Sequence, residues 1–299
     1  MISVIIPTYK NRSVFLANLH HNLQYIADCE IIVVNDNPQS SLASELKKIP
    51  KIKLIENKTN IGFAKSVNTG LAKACGEFIL LLNDDVLLLD DSYRNALVHF
   101  KKDRSLFAVG FAQKEKSGTI VGKNRLFWKN GLIFHEKAKK MDAGYTAWAE
   151  GGSSIFYKTI LEELGGFGEI YSPFYWEDID LSYRAWKRGY HIIFDPTIVV
   201  SHQHESTIGK YFTKVQIEKI AFRNQFYFIW KNITDTKLLF EHFGLLIPNF
   251  FYYFIKAKPA FLTGFLEAGK NIYSVLNKRR SYNKKYLKTD LEILSKFYE

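Results

Sequence analysis

The sequence has few cysteines and lacks the pattern of an export signal. It contains two cysteines, Cys29 and Cys75, in 299 residues. This number is too small for a disulfide framework and favours a reducing compartment. After Met1 the chain enters an apolar pattern directly, without the basic stretch and apolar core of a signal peptide. We therefore expect a chain that is not exported by that route and acts in the cytoplasm.

The sequence also lacks an apolar run long enough to span a bilayer. Its longest apolar stretch, residues 243–255, contains Pro248 and Asn249 and is shorter than the ~20 residues that a spanning helix needs. If this stretch meets a membrane, we expect it to lie on the surface. By contrast, 47% of the residues are hydrophobic, which is enough for one large α/β domain with an appendage.

Positive charge is concentrated near the carboxyl terminus. Residues 1–200 contain 25 Lys and Arg against 22 Asp and Glu, whereas residues 201–299 contain 16 against 8. Aromatic clusters at 226–230 and 250–255 alternate with these basic residues. Two interpretations stay open: packed helices with a solvated basic face, and a surface that contacts an anionic membrane. Nucleic-acid binding, the third use of such a composition, is disfavoured because no RNA or DNA module is recognisable.

Apolar runs and helical periodicity alternate in the first 90 residues. This pattern predicts strands at 2–7, 30–34, 52–55 and 77–82, and helices at 13–27 and 61–73. Such alternation is typical of a parallel sheet flanked by helices. From about residue 106 the apolar pieces become shorter, which predicts a mixed sheet there.

Two adjacent carboxylates, Asp84 and Asp85, follow the apolar run of residues 78–82. Open α/β sheets place ligands at the carboxyl ends of their strands. Neighbouring carboxylates favour a hard cation such as Mg²⁺ or Mn²⁺, which in turn binds phosphate oxygens. The alternative is that Asn83 and the two acids form a turn.

A second acidic cluster, WEDID at residues 176–180, begins a predicted helix at 178–188 that ends at Gly189. Its acids could simply cap the helix. Like-charge repulsion among them would also raise their pKa values, which suits a general base. The small residues at 151–154 permit close approach of a ligand to the backbone, although a tight turn would need them too.

Five motifs in this order resemble the inverting glycosyltransferases of family 2, in particular the branch that contains rhamnosyl- and galactofuranosyl-transferases. They are NIGFA at 60–64, Asn68, LNDD at 82–85, GGF at 165–167, and WEDID at 176–180, which continues to Arg184 and Gly189. The resemblance covers residues 2 to about 206. It implies a GT-A (Rossmann-like) fold, an α/β architecture with a mixed, mostly parallel sheet flanked by helices. It also implies a domain at 1–206, with a nucleotide-sugar half at 1–105 and an acceptor half at 106–206, followed by a basic, aromatic helical region at 207–299.

The resemblance also implies roles for individual residues. Asp178 occupies the position of the catalytic base, and Asp85 that of a direct metal ligand, with Asp84 closer to the ribose or sugar. His202 or His204 would be a further metal ligand. The residues implied for the donor are Pro7, Thr8, Tyr9, Asp36 at the pyrimidine ring, Asn60, Gly62, Phe63 and Asn68. The candidates for acceptor contact are Gly152, Ser153, Trp176 and Glu177.

These implied roles describe an inverting, Mg²⁺- or Mn²⁺-dependent transferase. It would move a sugar from a dTDP- or UDP-sugar to a cell-surface glycan or lipid-linked saccharide, at the inner face of the plasma membrane. One alternative is a catalytically inactive relative that binds nucleotide-sugars and tethers a partner to the membrane. Another is a sugar nucleotidyltransferase, but the segment from Pro7 to Lys10 lacks the Gly-rich triphosphate loop of such enzymes.

Overall fold

The computed structural model describes residues 1–49, 51–202, 209 and 211–298. Its centre is a ten-stranded mixed sheet with the order β10-β12-β6-β11-β4-β1-β2-β3, in which β5 pairs with β12 and β7 pairs with β6. Strands β8 and β9 form a separate hairpin. The strands are β1 Ile2–Thr8, β2 Glu30–Asn35, β3 Ile52–Glu56, β4 Phe78–Leu82, β5 Val86–Leu88, β6 Leu106–Glu115, β7 Ile120–Val121, β8 Asn124–Lys129, β9 Leu132–Lys137, β10 Gly144–Tyr145, β11 Ser153–Tyr157 and β12 His191–His202.

The helices cover both faces of the sheet and form most of the carboxyl-terminal region. They are α1 Arg12–Ile26, α2 Ala43–Leu46, α3 Phe63–Leu71, α4 Ala96–Lys102, α5 Lys158–Glu163, α6 Glu177–Lys187, α7 Lys214–Asn232, α8 Thr236–Gly244, α9 Leu246–Ile255, α10 Ala260–Lys270, α11 Ile272–Asn283 and α12 Asp290–Leu294. The predicted α/β class, with a mixed, mostly parallel sheet and carboxyl-terminal helices, is confirmed.

Strands β3, β2, β1 and β4 are mutually parallel, and β11 then runs antiparallel to both β4 and β6. Every residue of β1 and β4 is buried, as expected for strands covered by helices on both faces. The predicted strands differ from the observed ones by one residue at an end. Strand β1 continues past Pro7 to Thr8 because its register with β2 extends from Ser3 to Thr8.

The helix predicted at 61–73 is shorter in the structure, where α3 begins at Phe63. Its first expected residues belong to a loop, because the backbone N–H groups of Ile61 and Gly62 donate to the Asp36 carboxylate at 2.9 and 2.8 Å. Gly62 has a φ of +83°, which glycine adopts without strain. The loop is therefore fixed to the end of β2 before the helix starts.

The carboxyl-terminal helices share a hydrophobic core with the sheet. Phe226, Phe228 and Trp230 of α7 are buried in the same cluster as residues of α6 and β11. The first predicted aromatic cluster, 226–230, is therefore core rather than surface. The division of the chain at residue 206 stays a prediction.

The second aromatic cluster is exposed. We call the exposed apolar side chains of α8 and α9 the aromatic face; they are Phe240, Phe243, Ile247, Phe251, Phe254 and Ile255, each at least 60% exposed. The two helices meet at an angle of 47°. In the part of the chain that the structure describes, no single helix is long and apolar enough to cross a membrane, and this bent pair meets the length and composition criteria only when both helices are taken together.

Candidate active site

An open cavity of about 570 Å³ lies at the carboxyl ends of β1, β2 and β4. The predicted site residues that line it are Pro7, Thr8, Tyr9, Asp36, Asn60, Gly62, Phe63, Asp84, Asp85, Gly152, Glu177, Asp178 and His202. These residues come from separate motifs, and the parallel strands bring them together because their carboxyl ends meet at one edge of the sheet.

Three of the predicted site residues that the structure describes do not line the cavity. The Asn68 side chain instead binds both the N–H and the carbonyl of Phe167, at 2.9 and 3.0 Å, and so orders the GGF turn. Trp176 is buried against Phe228, and Ser153 is buried in β11. His204 lies outside the described residues. The roles predicted for these residues stay predictions.

The Asp36 carboxylate organises the loop beside the cavity. Besides the two backbone N–H groups of the loop, it accepts a hydrogen bond from Asn57 Nδ2 at 2.9 Å. One carboxylate thus fixes the segment that carries Asn60 and Gly62. Recognition of a pyrimidine ring by Asp36 stays a prediction.

The adjacent carboxylates after β4 have different surroundings. Asp84 Oδ2 accepts a hydrogen bond from Thr8 Oγ1 at 2.7 Å, and burial raises the pKa of Asp84 to about 6. Asp85 Oδ1 lies 3.1 Å from Nε2 of His202. This proximity follows from the sheet, because β12 pairs antiparallel with β5 and places His202 beside Val86.

The Asp85 and His202 pair fits a divalent cation. A carboxylate oxygen and an imidazole nitrogen separated by 3.1 Å have the spacing of two adjacent ligands of one octahedral ion, about 3 Å for bonds of about 2.1 Å. Among the described residues, no group of three or more His, Cys, Asp or Glu side chains could hold a metal. An ion here would therefore complete its shell with water and with phosphate oxygens of a ligand, as Mg²⁺ and Mn²⁺ do.

Helix α6 begins at the cavity with two partly buried acids, Glu177 and Asp178. Asp178 Oδ1 accepts the Ile179 N–H at 2.8 Å. Burial, reinforced by the nearby charge of Glu150, raises the pKa of Asp178 to about 6. Burial, together with the charge of Asp178, raises the pKa of Glu177 to about 8. Both carboxylates therefore hold a proton more strongly than a free carboxylate does, which suits a group that accepts a proton near neutral pH.

Several cavity residues were not predicted as site residues. Glu150, Phe174, Tyr175 and Tyr211 line the cavity, but none of them belongs to a recognisable local pattern. Tyr175 and Trp176 have φ values of +69° and +78°, a conformation that is costly for side chains of this size. No signal in the sequence indicates it.

Helix α7 supports this strained loop. The buried Asn224 amide donates to the backbone carbonyls of Tyr171, Phe174 and Tyr175 at 2.9 to 3.0 Å. The carboxyl-terminal region thus contributes to the structure of the site, although the Asn224 side chain does not line the cavity.

The sheet topology, the cavity at the strand ends, the carboxylates after β4 and the acids at the start of α6 together define a GT-A-type α/β fold. The chain belongs to glycosyl transferase family 2, whose family model matches residues 3–165. Both parts of the predicted resemblance, family 2 and the GT-A fold, are confirmed. The narrower resemblance to rhamnosyl- and galactofuranosyl-transferases stays a prediction.

Among curated relatives, the poly-beta-1,6-N-acetyl-D-glucosamine synthase of Staphylococcus epidermidis is 27% identical over 190 residues, which cover 60% of this chain and 44% of the relative. The corresponding synthase of Staphylococcus aureus is also 27% identical over 190 residues. The chain thus matches less than half the length of these relatives.

Solved structures share the fold at low sequence identity. GalNAc-T7 with UDP, GalNAc and Mn²⁺ has a TM-score of 0.61 at 17% identity, covering 79% of this chain and 48% of that one. Residues 1–349 of S. aureus TarS with UDP-GlcNAc have a TM-score of 0.58 at 14% identity, covering 98% and 89%. The mannosyltransferase PcManGT from Pyrobaculum calidifontis with GDP-Man and Mn²⁺ has a TM-score of 0.55 at 16% identity, covering 95% and 83%.

Proposed function

We propose that the protein is an inverting, metal-dependent glycosyltransferase. It moves a sugar from a dTDP- or UDP-sugar to a hydroxyl group of a cell-surface glycan or lipid-linked saccharide. The observation that carries the proposal is that the Asp178 carboxylate lines the same cavity as the adjacent Asp85 and His202 side chains, which come from separate elements. Inverting transfer requires both a base and a means of neutralising the departing diphosphate.

In this reaction Asp178 takes the proton of the acceptor hydroxyl while that oxygen bonds to the anomeric carbon of the donor. The bond between this carbon and the diphosphate oxygen breaks, and the electron pair stays with the diphosphate. Asp85 and His202 would hold Mg²⁺ or Mn²⁺, which would supply positive charge for the departing diphosphate. Burial and the charge of Asp178 raise the pKa of Glu177, which disfavours a second negative charge next to the base.

The solved structures that share the fold support a nucleoside diphosphate sugar as the donor. GalNAc-T7 and TarS were solved with UDP or a UDP-sugar, and PcManGT with a GDP-sugar. We favour a pyrimidine donor because Asp36 occupies the family position at the base. The synthase relatives support a role in polysaccharide biosynthesis.

Calorimetric titration with UDP, dTDP and GDP, each with and without Mn²⁺, tests this function. We expect Mn²⁺-dependent binding of UDP or dTDP. Asp85→Asn should weaken that binding at least ~10-fold because it removes a charged ligand. Asp142→Asn is the control, since Asp142 is an exposed partner of Lys123 and does not line the cavity. Failure of all three nucleotides to bind would contradict the proposed enzyme.

We further propose that the protein acts at the inner face of the plasma membrane, with the aromatic face against anionic lipid. Exposed Lys237, Lys256 and Lys258 lie at the ends of α8 and α9. Exposed aromatic side chains next to lysines are typical of helices that lie in the interface of an anionic bilayer.

Replacing Phe251 and Phe254 together by serine tests the membrane contact. Burial of one Phe contributes ~1.5–3 kcal/mol, so the double variant should bind vesicles at least ~10-fold more weakly. The measurement is co-sedimentation with phosphatidylglycerol-containing vesicles, with phosphatidylcholine vesicles for comparison. Leu89→Ser, at an exposed apolar residue of the sheet region, is the control. Wild-type vesicle binding by the double variant would contradict the contact.

A further inference from the structure

We infer that Gln113 is a positioning residue for His202, which it orients so that Nε2 faces Asp85, where a divalent cation would bind. This inference rests on the proposed function, because it concerns the metal site of that reaction. Gln113 is 1% exposed on β6, and His202 is 4% exposed on β12. The strands are paired with Gln113 beside Val200, so His202, two residues farther along, projects from the same face.

The orientation of the Gln113 amide follows from Glu150, its second hydrogen-bond partner. Its Nε2 group donates to Glu150 Oε2, which accepts the hydrogen bond as a carboxylate oxygen. Asn124 Nδ2 donates to the second oxygen, Oε1, at 3.0 Å, and also to the Gly122 carbonyl at 3.2 Å. Both oxygens of Glu150 are therefore occupied by amide donors, and the amide nitrogen of Gln113 must face Glu150.

The position of the histidine proton follows from the amide. With its nitrogen toward Glu150, Gln113 presents Oε1 to His202 Nδ1 at a distance of 2.5 Å. Because a carbonyl oxygen can only accept, Nδ1 must be the donor and carry the proton. In the neutral ring Nε2 then has a lone pair.

This lone pair faces Asp85 Oδ1 at 3.1 Å. Two acceptors at this distance repel each other unless a proton or a cation lies between them. Histidines that ligate metals generally donate their other N–H to a carbonyl or carboxylate, which fixes the tautomer and the ring. Gln113 provides this carbonyl, and Glu150 holds Gln113 in place. The same network would merely satisfy buried polar groups if no cation bound there, so the metal affinity distinguishes the two roles.

The test uses the full chain with Gln113→Leu, which keeps a similar side-chain volume but has no acceptor. Mn²⁺ is titrated at saturating UDP, and free Mn²⁺ is measured by electron paramagnetic resonance. We expect Gln113→Leu to bind Mn²⁺ ~10–100-fold more weakly, the usual effect of losing such a partner. The matched control is Gln225→Leu, because Gln225 is also buried but its amide donates to the Ile133 carbonyl away from the site. We expect this control to stay within about twofold of the wild-type affinity.

A spectroscopic measurement reports the tautomer directly. In the complex with UDP and diamagnetic Mg²⁺ at pH 8, the ¹⁵N shifts of His202 should show a protonated Nδ1. A proton on Nε2 in the wild-type complex would overturn the inference. The inference would also be overturned if Gln113→Leu bound Mn²⁺ with wild-type affinity. The same holds if Gln225→Leu lost as much Mn²⁺ affinity as Gln113→Leu. If the wild type and Gln113→Leu bind UDP with Mn²⁺ at equal affinity, the inference about Gln113 is wrong but the proposed function stands. If the wild type binds no Mn²⁺, the proposed function fails with it.

Discussion

Asp178→Asn is expected to lower kcat for sugar transfer by ~10²–10⁴-fold, the usual contribution of a general base. Asparagine has nearly the same shape but cannot accept the proton of the acceptor hydroxyl. Mn²⁺-dependent UDP binding should stay within about twofold of the wild type, because a base and not a ligand is removed. Steady-state kinetics and calorimetry on the same preparation provide both values.

The pH dependence provides a second readout of the same base. Burial and the Glu150 charge raise the pKa of Asp178 to about 6, and the base acts only when ionised. We therefore expect kcat to be constant above this pH and to fall about tenfold per pH unit below it. Asp142→Asn should preserve both the rate and the profile. Wild-type turnover in Asp178→Asn would show that another group is the base.

The first half of the fold could be predicted from the sequence because its signals are local. Strands β1, β2 and β4 are short apolar runs, and each ends at a polar residue that lines the cavity or lies beside it. Asp36, Asp84 and Asp178 could therefore be identified from their positions at the ends of elements. The convergence of Asp36 and Asp84 required only the general rule for parallel strands, whereas Asp178 lies at the start of helix α6.

The rest of the site depends on contacts between distant segments. Gln113 reaches Glu150 and His202 through the pairing of β6 with β11 and β12, and no local pattern indicates that pairing. Composition also could not separate the two aromatic clusters. Both combine aromatic residues with lysine, yet 226–230 is buried and most of 250–255 is exposed. Which face of a helix is covered depends on its neighbours rather than on its own sequence.

The link between the catalytic helix and the carboxyl-terminal region is a buried ionic cluster. Asp180 of α6 accepts from Lys231 Nζ at 2.6 Å, from Arg184 Nε at 2.9 Å and from Asn232 Nδ2 at 2.7 Å. Although burial alone would raise it, the charges of Lys231 and Arg184 hold the pKa of Asp180 below its usual range. This cluster joins α6 to α7, two residues from the proposed base.

Asp180→Asn is expected to destabilise the protein by ~3–5 kcal/mol, because it leaves two buried cations without their counter-charge. The melting temperature should fall by roughly 5–15 °C. Asp28→Asn, which breaks the exposed pair with Arg94, should cost at most about 1 kcal/mol. Calorimetric melting compares the two variants.

A melting temperature within about 2 °C of the wild type would contradict a structural role for the cluster. Lys231→Met combined with Asp180→Asn should cost less than the sum of the single variants, since the two side chains interact directly. Because Asp180 fixes the first turn of α6, we also expect kcat to fall in Asp180→Asn at temperatures where the variant is still folded. Loss of turnover in the folded variant would show that the carboxyl-terminal helices hold the base in place as well as stabilise the fold.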